Sequence, residues 1–117
     1  MANILFKKSY LHKTLSKIAY DDLWNTKGVF TTIRLIGSPP KFIFLLEHLR
    51  NLNQSLKKMN INFILKSSTF ENLLKNKFNN NIKYDHLLRL AINNKKISIS
   101  LRKCLKSNTS FQGILVN

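Results

Sequence analysis

The sequence predicts an α/β domain of the α+β kind, a small sheet carrying helices, flanked by a basic N-terminal arm and a basic C-terminal tail. Three observations lead to that class. VFTTIRLI, Val29 to Ile36, is rich in β-branched residues and puts Val29, Thr31, Ile33 and Leu35 on one face. Phe42, Leu45, Leu49, Leu52, Leu56 and Met59 then recur in steps of three and four, the spacing of one helix face. After Asn60 the period returns to two in INFILK, with Ile61, Phe63 and Leu65 in phase. Strand, long helix and strand make a βαβ crossover, for which parallel strands and a right-handed connection are expected.

The elements follow in order. In MANILFKKSYLHKTLSKIAY no acid precedes Asp21, and Leu11, Leu15 and Ile18 share one side of a short amphipathic helix with Lys13 and Lys17 beside them. The segment reads either as a mitochondrial targeting signal or as a basic arm packed on a neighbour. Asn25 to Gly28 links it to the first strand, which reads as central because Phe30 and Ile36 make its second face apolar too. Gly37-Ser38-Pro39-Pro40 stops that strand, since proline lacks the N–H a ladder needs and suits a helix start. The helix runs from about Pro40 to Met59, with Glu47, Arg50, Gln54 and Lys57 off its apolar stripe.

FENLLKNKF leads into Asn79-Asn80-Asn81, where tolerance of positive φ predicts a hairpin turn, and Ile82 to Tyr84 forms the returning strand. Asp85 caps a second helix over HLLRLAIN, with Leu87, Leu88, Ala91 and Ile92 as its apolar face. The basic alternating KKISISLRK and the polar LKSNTSFQGIL close the chain. This reading divides the chain into an arm (1–28), a domain (29–94) and a basic extension (95–117), within the single domain that 117 residues suggest.

Charge narrows the partner. Twenty Lys and Arg face five Asp and Glu, a net charge of +15, and such a chain repels itself unless anions neutralise it. Nucleic acid meets that need, because lysine and arginine release the counterions condensed on phosphates. An anionic membrane surface is the alternative, although no apolar run is long enough to cross a bilayer. The basic residues crowd both ends: Lys7, Lys8, Lys13 and Lys17 in the arm, and Lys95, Lys96, Arg102, Lys103 and Lys106 in the tail. That distribution is the footprint of an RNA-backbone contact. Asn108, Ser110 and Gln112 add polar groups able to reach phosphate or sugar. Phe111 among them either stacks on a base or anchors to protein.

The sequence offers little catalytic chemistry. The five acids are scattered, and His12, His48 and His86 fall in different elements without HxxxH or HExxH spacing. Cys104 is the only cysteine, so no CxxC pair exists, and no histidine or acid adjoins it to activate the thiol. Gly37 belongs to no glycine-rich phosphate loop, although a helix starting at Ser38 offers free N–H groups to an anion.

Three stretches carry a narrower likeness. LLKNKFNNN, Leu73 to Asn81, resembles the β-hairpin motif of the thioredoxin-like family shared by mitochondrial ribosomal proteins and a small complex I accessory subunit. Leu73, Leu74, Lys75, Phe78 and Asn80 supply its two apolar residues, basic residue, aromatic and turn. VFTTIRLIGSPP and the helix after it occupy the place of the family's first strand and helix. ISISLRKCLKSNTSFQGIL is similar to the tail of the family's large-subunit ribosomal protein, where a basic strand leads to Asn-x-Ser-x-Gln-Gly. Asn108, Ser110, Gln112 and Gly113 match in register. Leu115 stands where that tail has an aromatic, Asn81 where the turn has Gly, and Gly37-Ser38-Pro39-Pro40 where thioredoxin cysteines would sit. The resemblance implies a thioredoxin-like domain over 29–94 and a structural, cofactor-free constituent of the mitochondrial large ribosomal subunit in the matrix. Ribosomal RNA and neighbouring ribosomal proteins are then its partners. An accessory subunit of respiratory complex I is the alternative, and a thiol enzyme using Cys104 a third.

Overall fold

The strands at the two ends of the chain pair with each other, and this sets the architecture. In a computed structural model describing residues 5–104, the order is β1 (Phe6–Leu11), β2 (Lys17–Ile18), β3 (Gly28–Gly37), β4 (Lys41–Phe42), α1 (Leu45–Lys58), α2 (Ser67–Leu73), β5 (Tyr84–Asn93) and β6 (Lys96–Lys103). The strands form one sheet in the order β2-β1-β6-β5-β3-β4, and every ladder in it is antiparallel. The fold is α+β, with a six-stranded antiparallel sheet and two helices.

Two expectations about the ends are corrected. Phe6–Leu11 is a strand, followed by a turn and the short edge strand β2, where an amphipathic helix over Leu11, Leu15 and Ile18 was expected. Lys96–Lys103 is an interior strand between β1 and β5, where an extension outside the domain was expected. Burial explains both. Tyr10, Ile97, Ile99 and Leu101 alternate into the core, a period of two that a helix cannot present to one face.

β3 and α1 follow the pattern read from the sequence. Ile33 and Leu35 are fully buried beneath α1, and Leu49, Leu52 and Leu56 supply the helix's buried stripe. The helix begins at Leu45, after Phe44 at φ 55°, so Phe42 belongs to β4. There its ring meets Phe70 and Phe78 edge-on at 5.3 and 5.7 Å, closing one end of the core. Ser38 lies in a turn, with its hydroxyl donating to the Asn80 carbonyl, and no helix starts there.

The parallel crossover does not form. INFILK is an irregular segment leading to α2, although Ile61 and Leu65 are buried as its alternation implies. Asn53 of α1 takes the place of a neighbouring strand. Its Nδ2 donates to the Leu65 carbonyl (3.0 Å), and its Oδ1 accepts from the Leu65 N–H (2.9 Å). One side-chain amide thus satisfies both backbone groups of that residue. Phe70 to Leu73, expected in a hairpin arm, lie in α2, and the Asn79–Asn81 turn links α2 to β5. The expected second helix over HLLRLAIN is β5, the strand between β3 and β6. Its helix-favouring Leu, Arg and Ala are overridden because both faces of this strand are covered. The βαβ arrangement on which the thioredoxin-like expectation rested is replaced by this antiparallel sheet.

Gly28 opens β3 against β5. A Cβ there would stand 2.4 Å from the Ile92 carbonyl oxygen, so only glycine allows that approach. Among the described residues no helix is long and apolar enough to cross a membrane.

Candidate nucleic-acid interface

Strand register separates the two faces of the sheet. Ile33, Leu35, Leu88, Leu90, Ile97 and Ile99 point to the core beneath the helices. Phe30, Thr32 and Arg34 of β3, Arg89 of β5, Ser98, Ser100 and Arg102 of β6, and Lys7 and Ser9 of β1 point the other way. Among the described residues no helix covers this second face. Residues 19–27, which join β2 to β3, cross part of it as a strap.

Backbone bonds at Asp21 hold the strap. Its N–H donates to Ser9 Oγ (2.9 Å), the Ser98 hydroxyl donates to its carbonyl, and the two serine hydroxyls meet at 2.7 Å. The Asp21 carboxylate accepts from the Leu23 N–H (3.0 Å) and pairs with Lys96 Nζ (3.1 Å). These contacts, the Leu23 N–H first, hold its carboxyl below the usual aspartate range. Further along, Arg89 Nη1 donates to the Asp22 carbonyl (2.7 Å), and Asn93 Nδ2 donates to Thr26 Oγ1 (3.3 Å). Leu23, at φ 62°, turns inward and is buried, which leaves Trp24 on the outside.

Trp24, Arg89 and Phe30 form a pile. The guanidinium carbon lies 4.1 Å from the Trp24 ring centroid and 5.5 Å from that of Phe30, within cation–π range. Trp24 is 62% exposed and Phe30 59%, whereas Arg89 is 9% exposed. Arg89 Nε is buried and has no hydrogen-bond partner among the described residues. Clefts open on both sides of the pile. One, of about 160 Å³, is lined by Leu23, Trp24, Gly28, Phe30 and Arg89. The other, of about 300 Å³, is lined by Lys7, Tyr20, Asp22, Arg89, Ser100 and Arg102 together with Trp24. Lys7 Nζ sits 5.8 Å from the Tyr20 ring centroid, and Arg34 pairs with Asp85 at 2.9 Å.

The structure scatters the basic residues singled out from sequence over five places. Lys7 and Arg102 meet at the larger cleft. Lys8 and Lys17 meet on the helix side of the β1–β2 edge. The Lys17 ammonium, then burial and the Lys77 charge, pull the Lys8 pKa below the usual lysine value. Lys13 and Lys95 lie in turns at one end of the sheet, where the His12 N–H donates to the Lys95 carbonyl (3.0 Å). α1 finishes at the same end, beside a hollow lined by Thr26, Lys27, Met59, Asn60 and Asn94. Lys96 is engaged with Asp21, and Lys103 stands opposite His86 on β5. Lys106, Asn108, Ser110 and Gln112 lie outside the described residues.

Sequence reasoning missed Tyr20, Trp24, Phe30, Arg34, Lys77 and Arg89. One signal was available: Arg89 interrupts an otherwise apolar run in HLLRLAI, and a buried arginine needs a partner. Cys104 is half-buried at the end of β6, and its N–H donates to the Asp85 carbonyl (2.9 Å). Among the described residues no cluster of three or more His, Cys, Asp or Glu converges. No protein-family model matches this chain, and no curated protein or solved structure matches it.

Proposed function

We propose that this chain is a non-enzymatic, RNA-binding constituent of the mitochondrial large ribosomal subunit, in the matrix, supporting translation by contacting ribosomal RNA and neighbouring ribosomal proteins. The observation that carries the RNA reading is the crowding of Lys8, Lys17 and Lys77. Lys17 and Lys77, from separate parts of the chain, are the charges that act on Lys8. Like charges gathered in this way raise the free energy of the isolated fold, and a phosphate backbone lowers it again. The net charge of +15 extends that argument to the whole surface. Assignment to the large subunit rests on the likeness of ISISLRKCLKSNTSFQGIL to the tail of the family's ribosomal protein, not on a thioredoxin-like arrangement.

The test is a sucrose-gradient profile of mitochondrial extract at low and high salt, probed for this protein. Migration with the large ribosomal subunit is expected. Migration with a membrane complex supports instead the reading as a complex I accessory subunit. Free protein at the top of the gradient at every salt concentration overturns both.

A further inference from the structure

We infer that the helix-free face around Trp24, Arg89 and Phe30 is a platform for single-stranded RNA. A base stacks on the exposed indole, and adjacent phosphates are held from Lys7 and Arg102. The inference rests on the RNA-binding reading above and adds a second contact, on the face of the sheet opposite the Lys8–Lys17 edge.

Four features of the face point to this ligand. First, two large aromatic rings are more than half exposed while held in fixed positions. The Asp21 and Asp22 backbone bonds order the strap before any ligand arrives, so little ordering entropy opposes binding at Trp24. Second, Arg89 is buried, lines both clefts, and carries an Nε–H without an acceptor among the described residues. A buried donor left unpaired is costly, and a shift of the guanidinium that brings Nε–H to an oxygen of the ligand beside Trp24 would relieve that cost. Third, Lys7 and Arg102 border the larger cleft from neighbouring strands and set positive charge beside the aromatic surface. Of the acids nearby, Asp85 pairs with Arg34, and Asp22, whose Oδ1 accepts from the Trp24 backbone N–H (3.0 Å), is the single carboxylate lining the larger cleft, against Lys7, Arg89 and Arg102.

Fourth, the arrangement distinguishes single strands from duplex. Stacking needs the face of an unpaired base, which a duplex keeps within its own stack. A sheet face with aromatic rings and flanking cations therefore favours single-stranded segments, and tolerates varied sequence because every base has a π-face.

Trp24 is the only tryptophan of the chain, so its emission reports directly on this face. The full-length protein is titrated with an oligouridine or oligoadenosine of about 12 nucleotides, within the roughly 4–16 that single-strand sites span, and with an RNA duplex of equal length. Binding is followed in parallel by anisotropy of fluorescein-labelled RNA. Saturable quenching of Trp24 by the single strands, at concentrations matching the anisotropy curve, is expected, with weaker quenching by the duplex. Trp24→Ala should weaken single-strand binding about 5- to 150-fold, the range that loss of one base stack produces, and Trp24→Phe should restore most of it. Thermal melts of both variants separate lost stacking from lost folding, and the wild-type quench does not depend on either variant.

Anisotropy showing tight binding while Trp24 emission stays unchanged overturns the inference and leaves the RNA-binding reading standing. Duplex and single strand quenching alike also overturns it. Quenching by isolated ribosomal proteins, and not by RNA, assigns the face to a protein partner. No binding of either RNA by either readout sinks the RNA-binding reading as well.

Discussion

Ser9 and Ser98, 89 residues apart, share a 2.7 Å hydrogen bond between their hydroxyls beneath the strap. Both side chains are buried, and the bond joins β1 to β6 where the backbone of Asp21 crosses them. The three residues form a closed cycle: Asp21 N–H to Ser9, Ser9 to Ser98, Ser98 to the Asp21 carbonyl. A longer bond from Ser9 Oγ to the Asp21 carbonyl (3.3 Å) crosses the cycle.

Ser98→Val opens this cycle and leaves the Ser9 hydroxyl and the Asp21 carbonyl only their longer bond to each other, at 3.3 Å. A loss of about 1–3 kcal/mol in folding stability is expected, measured by urea denaturation. Trp24 emission should also shift towards that of a solvated indole before global unfolding, because the strap loses its anchor. A coincident shift and unfolding transition would show the strap to be part of one cooperative unit.

Gly28→Ala places a methyl group 2.4 Å from the Ile92 carbonyl oxygen, so β3 must shift away from β5. Overpacking of this kind costs about 1–3 kcal/mol, read as a lowered denaturation midpoint. An unchanged midpoint would mean that the first ladder position contributes little.

Lys8→Gln should act in opposite directions on stability and binding. The Lys8 pKa is lowered in the fold by Lys17, then burial and Lys77, so its charged form is the one the fold disfavours. Below that folded value Lys8 is charged in both states and the repulsion opposes folding. The penalty fades as the pH rises through the folded value towards that of an ordinary lysine. Near neutral pH the variant should therefore be at least as stable as the wild type, while its RNA affinity falls. The slope of log affinity against log salt should drop by about one if Lys8 meets a phosphate. A variant that binds RNA as the wild type does would exclude that edge from the interface.

His86 should make the fold acid-sensitive. Its ring is buried, and Nδ1 accepts from the Asp85 N–H at 3.0 Å, which requires an unprotonated nitrogen. Burial lowers its pKa, and the Lys103 charge adds to this against the opposing pull of Asp85. For a base with a lowered folded pKa, stability is complete above the unfolded value, about 6.5, and declines as the pH falls below it. His86→Asn keeps an acceptor near Nδ1 and removes the titration. Its melting temperature should change less than that of the wild type between about pH 7.5 and pH 5. Equal changes would place the acid sensitivity elsewhere.

The sequence alone was enough for elements whose pattern is local. VFTTIRLI alternates, and β3 buries Ile33 and Leu35 as that alternation requires. The Leu49, Leu52 and Leu56 stripe fits a period of 3.6, and α1 buries it. The excess of lysine, and its position near both ends of the chain, can also be counted without coordinates.

Tertiary structure decided what depends on distant partners. HLLRLAI suits a helix by propensity, and becomes β5 because β3 and β6 flank it with 10 and 7 register pairs. INFILK alternates like a strand but finds no ladder, because the Asn53 amide takes the Leu65 backbone groups first. The platform is the extreme case. Trp24, Phe30 and Arg89 lie in three separate segments, and only the strap that Ser9 and Ser98 hold through Asp21 brings the indole over the guanidinium. Periodicity records which way a side chain points relative to its near neighbours. Contact across the sheet is set by register, which no single segment contains.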